Sequence, residues 1–231
     1  GTIGILAIDP SSPVSGGAIL GDRIRMEALA DEPRIYIRSI ASRSASGGLA
    51  DNLPDILDVF DAEGFAELFV ETVGVGQAEH EIRHLADTTV LVLLPGAGDQ
   101  IQMMKSGIIE AADVYAVNKS DLEGADRIAT ELRAVAKLAR AAGGGWAAPV
   151  VAVSATAGTG IAELSDAIDA HTRWQVAAPD AGRRLAARRA CHVRKLVERR
   201  IGEVLGAMPA ESMHRPLAEI YTDIVARLAV A

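Results

Sequence analysis

Six short apolar runs, separated by stretches with helical spacing, most constrain what this chain can fold into. The runs are Ile3 to Ile8, Arg34 to Ile37, Leu68 to Val73, Val90 to Leu94, Val114 to Val117 and Val150 to Val153. Four are nearly continuous in Val, Leu and Ile, which is typical of strands buried on both faces of a parallel sheet. Strand and helix patterns alternate, so the sequence predicts an α/β fold with one doubly wound, mostly parallel sheet.

The composition and length agree with this fold class. Aromatic residues make up only 3% of the 231 residues, so the core must come from aliphatic packing. A chain of this length suits one α/β domain with a helical appendage. We place the domain at residues 1–174 and the appendage at residues 175–231.

The appendage is predicted to be a helical hairpin. Apolar residues at steps of three and four run from Ala186 to Met208 and again from Leu217 to Leu228. Two helices bury little surface alone, so the hairpin either packs on the first domain or forms a dimerisation arm. Residues 182–200 carry seven Arg and one Lys against one Glu, which indicates a solvated face, a site for an acidic partner or a site for an anionic ligand.

Charge, cysteine content and hydropathy exclude several function classes. A net charge of −8 argues against a general nucleic-acid binder, which needs a cationic surface. The single cysteine, Cys191, cannot form an internal disulfide, and this favours a reducing setting. No apolar run of about 18 residues predicts a membrane span. We expect a cytoplasmic protein that binds neither nucleic acid nor membranes.

The segment VYAVNKSD ends an apolar run in Asn118, Lys119 and Asp121. Residues at such a position emerge at the carboxyl edge of an open α/β sheet, where ligands bind. N-K-x-D there resembles the base-reading motif of GTP-binding proteins. A carboxylate at Asp121 can accept hydrogen bonds from guanine N1–H and the exocyclic amine, a donor pair that adenine lacks. Lys119 can cover the base plane, and Asn118 can tie neighbouring loops together.

Two further apolar runs end in residues that can carry chemistry. LFVETVGVGQ places Glu71 at a strand tip and Gly74 three residues later. The acid can hold Mg²⁺, and the glycine lets a backbone N–H approach a γ-phosphate. VVAVSATAGTGI supplies Ser154, Ala155 and Thr156, which are similar to the S-A-x element whose backbone amide meets the guanine carbonyl. The three motifs follow one another in the order typical of G domains.

Three longer strings carry a more specific resemblance. They are AIDPSSPVSGGAILGDRIRM at residues 7–26, ETVGVGQ at residues 71–77 and LLPGAGDQIQMMKSGI at residues 93–108. Together they closely resemble the MeaB/ArgK family, with its mitochondrial MMAA-type relatives. These are P-loop GTPases of the SIMIBI type that act as chaperones of adenosylcobalamin-dependent acyl-CoA mutases such as methylmalonyl-CoA mutase. The resemblance runs from residue 3 to residue 174.

This resemblance implies ligands, partners and site residues. The ligands are GTP or GDP with Mg²⁺, and Asp9, Asp22 and Glu71 would lie around the ion and the γ-phosphate. The loop between Asp9 and Asp22 would be a switch that nucleotide and partner bring into order. Lys105 would respond to the partner mutase and could stabilise charge on the phosphates. An adenosyltransferase is a second candidate partner, and the protein is expected to be a homodimer.

One departure from the family bears on activity. No G-x-x-x-x-G-K-[ST] string, the source of a phosphate-binding Lys and a Mg²⁺ hydroxyl ligand, occurs in the sequence. Because Gly1 stands where Met would and TIGILAID reads as a buried strand, we expect the family's first strand and this loop before residue 1. These 231 residues alone should then be inactive, whereas the complete protein should be a GTPase.

Two alternatives remain open and a third is disfavoured. A metal-insertion GTPase of the urease or hydrogenase maturation type shares this architecture but needs clustered Cys and His, and His80 and His84 have no Cys nearby. A non-hydrolysing interaction module fits a chain without the phosphate loop. A kinase for amino-acid transport is disfavoured, because a guanine-selective Asp121 indicates a GTPase rather than an enzyme that uses ATP.

Overall fold

The chain divides into two units, Gly1–Arg184 and Leu185–Ala231, which are described one at a time. The computed structural model describes residues 1–10, 24–29, 31–42, 52–72, 78–96, 112–141, 145–177 and 181–228. None of the helices in these stretches is both long enough and apolar enough to cross a membrane.

The first sheet comes from the amino-terminal third of the chain. Strand β1 (Ile3–Pro10) lies between β2 (Ile35–Ser42) and β3 (Glu67–Thr72), and both pairings are parallel. A short 3-10 helix, Glu27–Leu29, precedes β2, and helix α1 (Leu53–Glu63) lies between β2 and β3 in the chain. Parallel strands require such a connection because a tight hairpin joins only antiparallel neighbours.

Helix α1 packs its apolar stripe against this sheet. Leu53, Leu57 and Phe60 are buried at the steps of four and three that place residues on one helical face. Gly4 of β1 makes room for the helix, because a Cβ at that position would lie 2.9 Å from the Phe60 ring. Gly64 ends α1 with a φ of 76°, a left-handed conformation that favours glycine.

The second sheet is also parallel. Strand β5 (Val114–Val117) lies between β4 (Val90–Leu93) and β6 (Val150–Ala152). The helices of this part of the chain are α2 (Ala78–Leu85), α3 (Ala125–Ala141) and α4 (Ile161–Ala177). Tyr115 and Val117 of β5 form one buried cluster with Ile128 and Leu132 of α3, so the core of this sheet lies under α3.

The α/β fold class predicted from the apolar runs is confirmed, with two differences in detail. The described strands form two sheets rather than one. Strand β5 is buried at all four positions, but Phe69 of β3 and Val92 of β4 are 48% and 56% exposed and Ala152 of β6 is exposed as well, so the prediction of burial on both faces is wrong for β3, β4 and β6. The outer edges of β3 and β4 pair with no described strand.

A buried polar network links α4 to the amino ends of β4 and β5. His171 of α4 is fully buried, with Nδ1 2.9 Å from Thr88 Oγ1 and Nε2 3.3 Å from Asp113 Oδ1. Asp113 Oδ2 accepts a 2.9 Å hydrogen bond from Thr89 N, and Asp113 O accepts one of 2.7 Å from Trp146 Nε1. These contacts give the buried polar groups hydrogen-bond partners, without which their burial would destabilise the fold.

The boundary between the units falls inside helix α5 (Ala181–Gly206), which is followed by a 3-10 helix, Ala210–His214, and by α6 (Leu217–Leu228). Arg215 and Arg227 each donate a 2.8 Å hydrogen bond to Asp223, and these bonds hold the pKa of Asp223 below its usual value. Many large apolar side chains of this unit are exposed, among them Val193, Leu217, Tyr221 and Val225.

Candidate functional site

The N-K-x-D segment turns sharply as it leaves β5. Asn118 N donates a 2.8 Å hydrogen bond to Leu93 O, which extends the pairing of β5 with β4. Lys119 then takes a φ of 54°, a left-handed conformation that is uncommon outside glycine. Its N–H donates to Asn118 Oδ1 at 2.8 Å, so the side chain of one residue supports the turn at the next.

Asn118 also joins the loops that follow β5 and β6. Its Oδ1 accepts a second hydrogen bond, of 3.1 Å, from Ala155 N. Ser120 N donates to Val153 O at 2.9 Å, which adds a backbone contact between the same two loops. The contacts are compatible with the loop-tying role predicted for Asn118, which stays a prediction.

Residues 118–121 after β5 and residues 154–156 after β6 form a rim, and a short hydrogen bond joins Ser154 to Asp121 across it. Ser154 Oγ donates a 2.6 Å hydrogen bond to Asp121 Oδ1, and Ser154 is buried whereas Asp121 is exposed. This bond is the main reason that the pKa of Asp121 lies below its usual value. The backbone N–H of Asp121 and the charge of Lys119 act in the same direction, against a smaller effect of desolvation. At neutral pH Asp121 therefore presents an ionised carboxylate of fixed direction.

Two glycines shape the loop between β6 and α4. Ser154 N donates to Thr159 O at 2.9 Å and closes the loop into one turn. Gly158 and Gly160 have φ values of 72° and 76°. A Cβ at Gly160 would collide with Ala152 O, so only glycine allows the backbone to pass so close. This role of Gly160 was not predicted from the sequence, although a cluster of Gly, Ser and Thr between a strand and a helix is a recognised signal for a turn.

Asp9 and Glu71 lie on the first sheet. Asp9 is fully buried near the end of β1, and Glu71 lies next to the last residue of β3. The register pairs Ala7 with Glu71, and residues two apart on a strand share a face, so Asp9 and Glu71 project from the same face of the sheet. Mg²⁺ in proteins is held by one or two carboxylates together with waters and phosphates, so this donor set fits the ion.

The predicted site residues thus fall into two groups. Asp9 and Glu71 belong to the first sheet, and Asn118, Lys119, Asp121, Ser154, Ala155 and Thr156 follow strands of the second. The other three predicted residues, Asp22, Gly74 and Lys105, lie outside the described stretches. The described residues contain no cluster of three or more His, Cys, Asp or Glu side chains that could hold a metal ion. His84 on α2 is exposed.

Comparisons with known proteins place this geometry in context. A family model described as methylmalonyl Co-A mutase-associated GTPase MeaB matches residues 1–210. A protein of Pyrococcus horikoshii named "Putative GTPase PH0274" is 39% identical over 225 residues, which is 96% of this chain and 68% of that protein. The "Methylmalonic aciduria type A homolog, mitochondrial" of Mus musculus is 38% identical over 167 residues, which is 71% of this chain and 40% of that protein. For several other curated relatives, the chain spans about half of their length, 54% and 51% in two of them.

A solved structure shares the fold. The structure titled "Crystal structure of LAO/AO transport system kinase" aligns with a TM-score of 0.64 over 99% of this chain and 72% of that chain. The two sequences are 21% identical in this alignment, so the likeness shows the fold alone.

Proposed function

Because the chain belongs to the MeaB family of methylmalonyl-CoA mutase-associated GTPases, we propose that the complete protein binds and hydrolyses GTP and acts as a chaperone of an adenosylcobalamin-dependent acyl-CoA mutase. The proposal that the protein binds GTP rests on the hydrogen bonds that join the loops after β5 and β6. They link Asp121 to Ser154 and Asn118 to Ala155. The chaperone half rests on the family description and on the name of the mouse relative.

Asp121 reads the base in this proposal. Its carboxylate accepts hydrogen bonds from guanine N1–H and from the exocyclic amine, and the hydrogen bond from Ser154 orients it and lowers its pKa. A hydrogen bond to a charged group contributes about 1.5–3 kcal/mol, so adenine, which has neither an N1–H nor an amine at C2, should bind at least about 100-fold more weakly.

The other rim residues complete the base site. Ala155 N already donates to Asn118 Oδ1, so we assign the amide that meets the guanine carbonyl to Thr156, which is exposed on the same loop. The apolar stem of Lys119 covers one face of the base, for which its exposed position after β5 is suitable.

Asp9 and Glu71, with Asp22, hold Mg²⁺ in this proposal, and Lys105 acts near the phosphates in response to the partner. When bound, the ion neutralises charge on the β- and γ-phosphate oxygens. The buried position of Asp9 supports this role, because a carboxylate that lies out of water is stabilised by a cation.

A second copy of the chain is the proposed partner of the helical unit. Leu217, Tyr221 and Val225 of α6 lie at steps of four and are 85%, 70% and 46% exposed, so they form one exposed apolar stripe. Monomeric proteins rarely expose such stripes without a partner, and a symmetric dimer would cover the same stripe on both copies.

The direct test of nucleotide class is calorimetric titration of the complete protein with GTP, ITP and ATP in the presence of Mg²⁺. We expect GTP to bind most tightly, ITP, which lacks the exocyclic amine, about 10-fold more weakly, and ATP at least about 100-fold more weakly. Equal affinity for ATP and GTP would contradict the proposal. The chaperone role is tested separately, by measuring whether a purified adenosylcobalamin-dependent acyl-CoA mutase changes the GTP hydrolysis rate.

A further inference from the structure

One hydroxyl on the sheet face that carries Asp9 and Glu71 is not explained by the fold. Ser39 lies in the middle of β2, and its Oγ is buried without a hydrogen-bond partner among the described residues. Taking a hydroxyl out of water without a new hydrogen bond costs about 1–3 kcal/mol in proteins. Buried polar atoms of this kind are rare, and a bound ligand or an ordered water is a common reason for them.

The strand register places Ser39 beside the two acids. It pairs Ser39 with Ala7 on one side of β1 and Glu71 with Ala7 on the other, so these three residues form one row on one face of the sheet. Asp9 follows two residues after Ala7 and projects from the same face, paired with Ala41. Ala7 is fully buried and small, so the polar side chains of Ser39, Glu71 and Asp9 surround a methyl group.

The spacing suits contact through water. Neighbouring strands lie about 4.8 Å apart, so the backbones at Ser39 and Glu71 are separated by about 10 Å. The short serine side chain cannot span that distance to the carboxylate. Mg²⁺ gives up its waters reluctantly and keeps several of them when one or two carboxylates bind it. The Ser39 hydroxyl group can therefore interact with the ion through a hydrogen bond to one of those waters.

We propose that Ser39 is a positioning residue for the magnesium ion, which it orients by a hydrogen bond between its Oγ and a metal-bound water. The inference rests on the proposed function, because Asp9 and Glu71 must hold the ion. The proposal gives β2 a part in the metal site, although this strand carries none of the family motifs identified in the sequence.

The test is the release of a fluorescent GDP analogue from the complete protein at a series of Mg²⁺ concentrations. We expect Ser39→Ala to raise the half-saturating Mg²⁺ concentration about 10-fold, the lower end of the effect of outer-shell groups on metal affinity. Binding of the analogue in excess chelator should not change. The melting temperature without nucleotide and metal should stay the same or rise, because an unsatisfied buried hydroxyl is removed. Ser39→Thr, which keeps a hydroxyl, should retain most of the Mg²⁺ affinity.

Thr89→Val is the matched control. Thr89 Oγ1 is also buried without a hydrogen-bond partner in the described part of the chain, but it lies before β4 at the amino end of the other sheet. Its removal should leave the Mg²⁺ dependence unchanged. If Ser39→Ala behaves like Thr89→Val while Asp9→Asn raises the half-saturating concentration, the inference is overturned and the proposed function stands. If Asp9→Asn and Glu71→Gln also have no effect, the proposed magnesium site fails and the inference fails with it.

Discussion

Ser154 Oγ donates a 2.6 Å hydrogen bond to Asp121 Oδ1, so a buried residue after β6 favours the ionised form of an exposed carboxyl group after β5. The pKa of Asp121 is lowered mainly by this bond. We predict that Ser154→Ala raises the pKa of Asp121 toward its usual 3.8. Carbon-detected NMR titration of the Asp121 carboxyl group measures this change directly.

The same bond predicts a pH dependence of stability. Because the folded pKa of Asp121 is depressed, its ionisation stabilises the fold fully above the unfolded pKa, and this contribution is lost as the pH falls through the folded pKa. The stability difference between the wild type and Ser154→Ala should therefore be largest near neutral pH and shrink below pH 3.8. In an Asp121→Asn background the difference should not vary with pH. A persistent pH dependence in that background would contradict the assignment.

Gly160 is predicted to be far less tolerant of substitution than its neighbour Gly158. Both have positive φ values, which cost about 1–2 kcal/mol for alanine. Only at Gly160 does a Cβ also meet backbone, at Ala152 O, whereas Gly158 has open space. We expect Gly160→Ala to lower the free energy of unfolding by at least about 1–3 kcal/mol more than Gly158→Ala, as measured by urea denaturation. Equal effects of the two substitutions would show that the loop does not pass as close to β6 as described.

His171→Phe should destabilise the protein without affecting the nucleotide. It leaves Thr88 and Asp113 without their contacts to the buried ring, and this should cost about 2–4 kcal/mol in the free energy of unfolding. Both tryptophans of the chain lie beside His171, with ring centroids at 4.9 Å for Trp146 and 5.8 Å for Trp174, so intrinsic fluorescence should change as well.

The control for this substitution is His84→Phe, because His84 is exposed. His84→Phe should change the free energy of unfolding by no more than about 0.5 kcal/mol and should leave the fluorescence unchanged. Nucleotide affinity should stay the same in both variants, since His171 contacts the amino ends of β4 and β5 and Asn118 follows the carboxyl end of β5. A loss of GTP affinity in His171→Phe alone would show that the two ends of this sheet are coupled.

The exposed stripe on α6 predicts the oligomeric state. Tyr221→Glu places a charge in the middle of the stripe, so it should convert a dimer into a monomer in light scattering after size exclusion. Thr222→Glu adds the same charge at the adjacent exposed position, where Thr222 Oγ1 donates to Ala218 O, and should leave the dimer intact. A wild type that is monomeric, or two variants that behave alike, would refute the proposed dimer.

The burial of β5 could be predicted from the sequence more closely than that of β3 and β4. The run from Val114 to Val117 is a strand at those same residues, because a strand buried on both faces must be apolar throughout. β3 and β4 have similar apolar runs, yet Phe69 and Val92 are exposed. Apolar content shows that a strand can be buried, but it does not show whether other elements cover both faces of the sheet at that strand.

The site shows a similar limit. N-K-x-D and S-A-T are local strings, and their nearness follows from the rule that parallel strands end at one edge of the sheet. The contact between Ser154 Oγ and Asp121 depends on the directions in which two loops point their side chains. The spacing of residues in the sequence does not reveal these directions. Ser39 carries no motif at all, and only the register with Ala7 and Glu71 brings it next to the acids.

The measurement that tests the central claim most directly is the nucleotide preference of Asp121→Asn in the complete protein, with Asp126→Asn on the exposed surface of α3 as the control. An asparagine side chain offers a donor where the carboxylate accepted, so it suits the extra carbonyl of xanthine. We predict that Asp121→Asn binds GTP at least about 100-fold more weakly than the wild type and prefers xanthosine triphosphate, while Asp126→Asn keeps the wild-type preference for GTP. An Asp121→Asn protein that still selects GTP over xanthosine triphosphate as the wild type does would contradict the account.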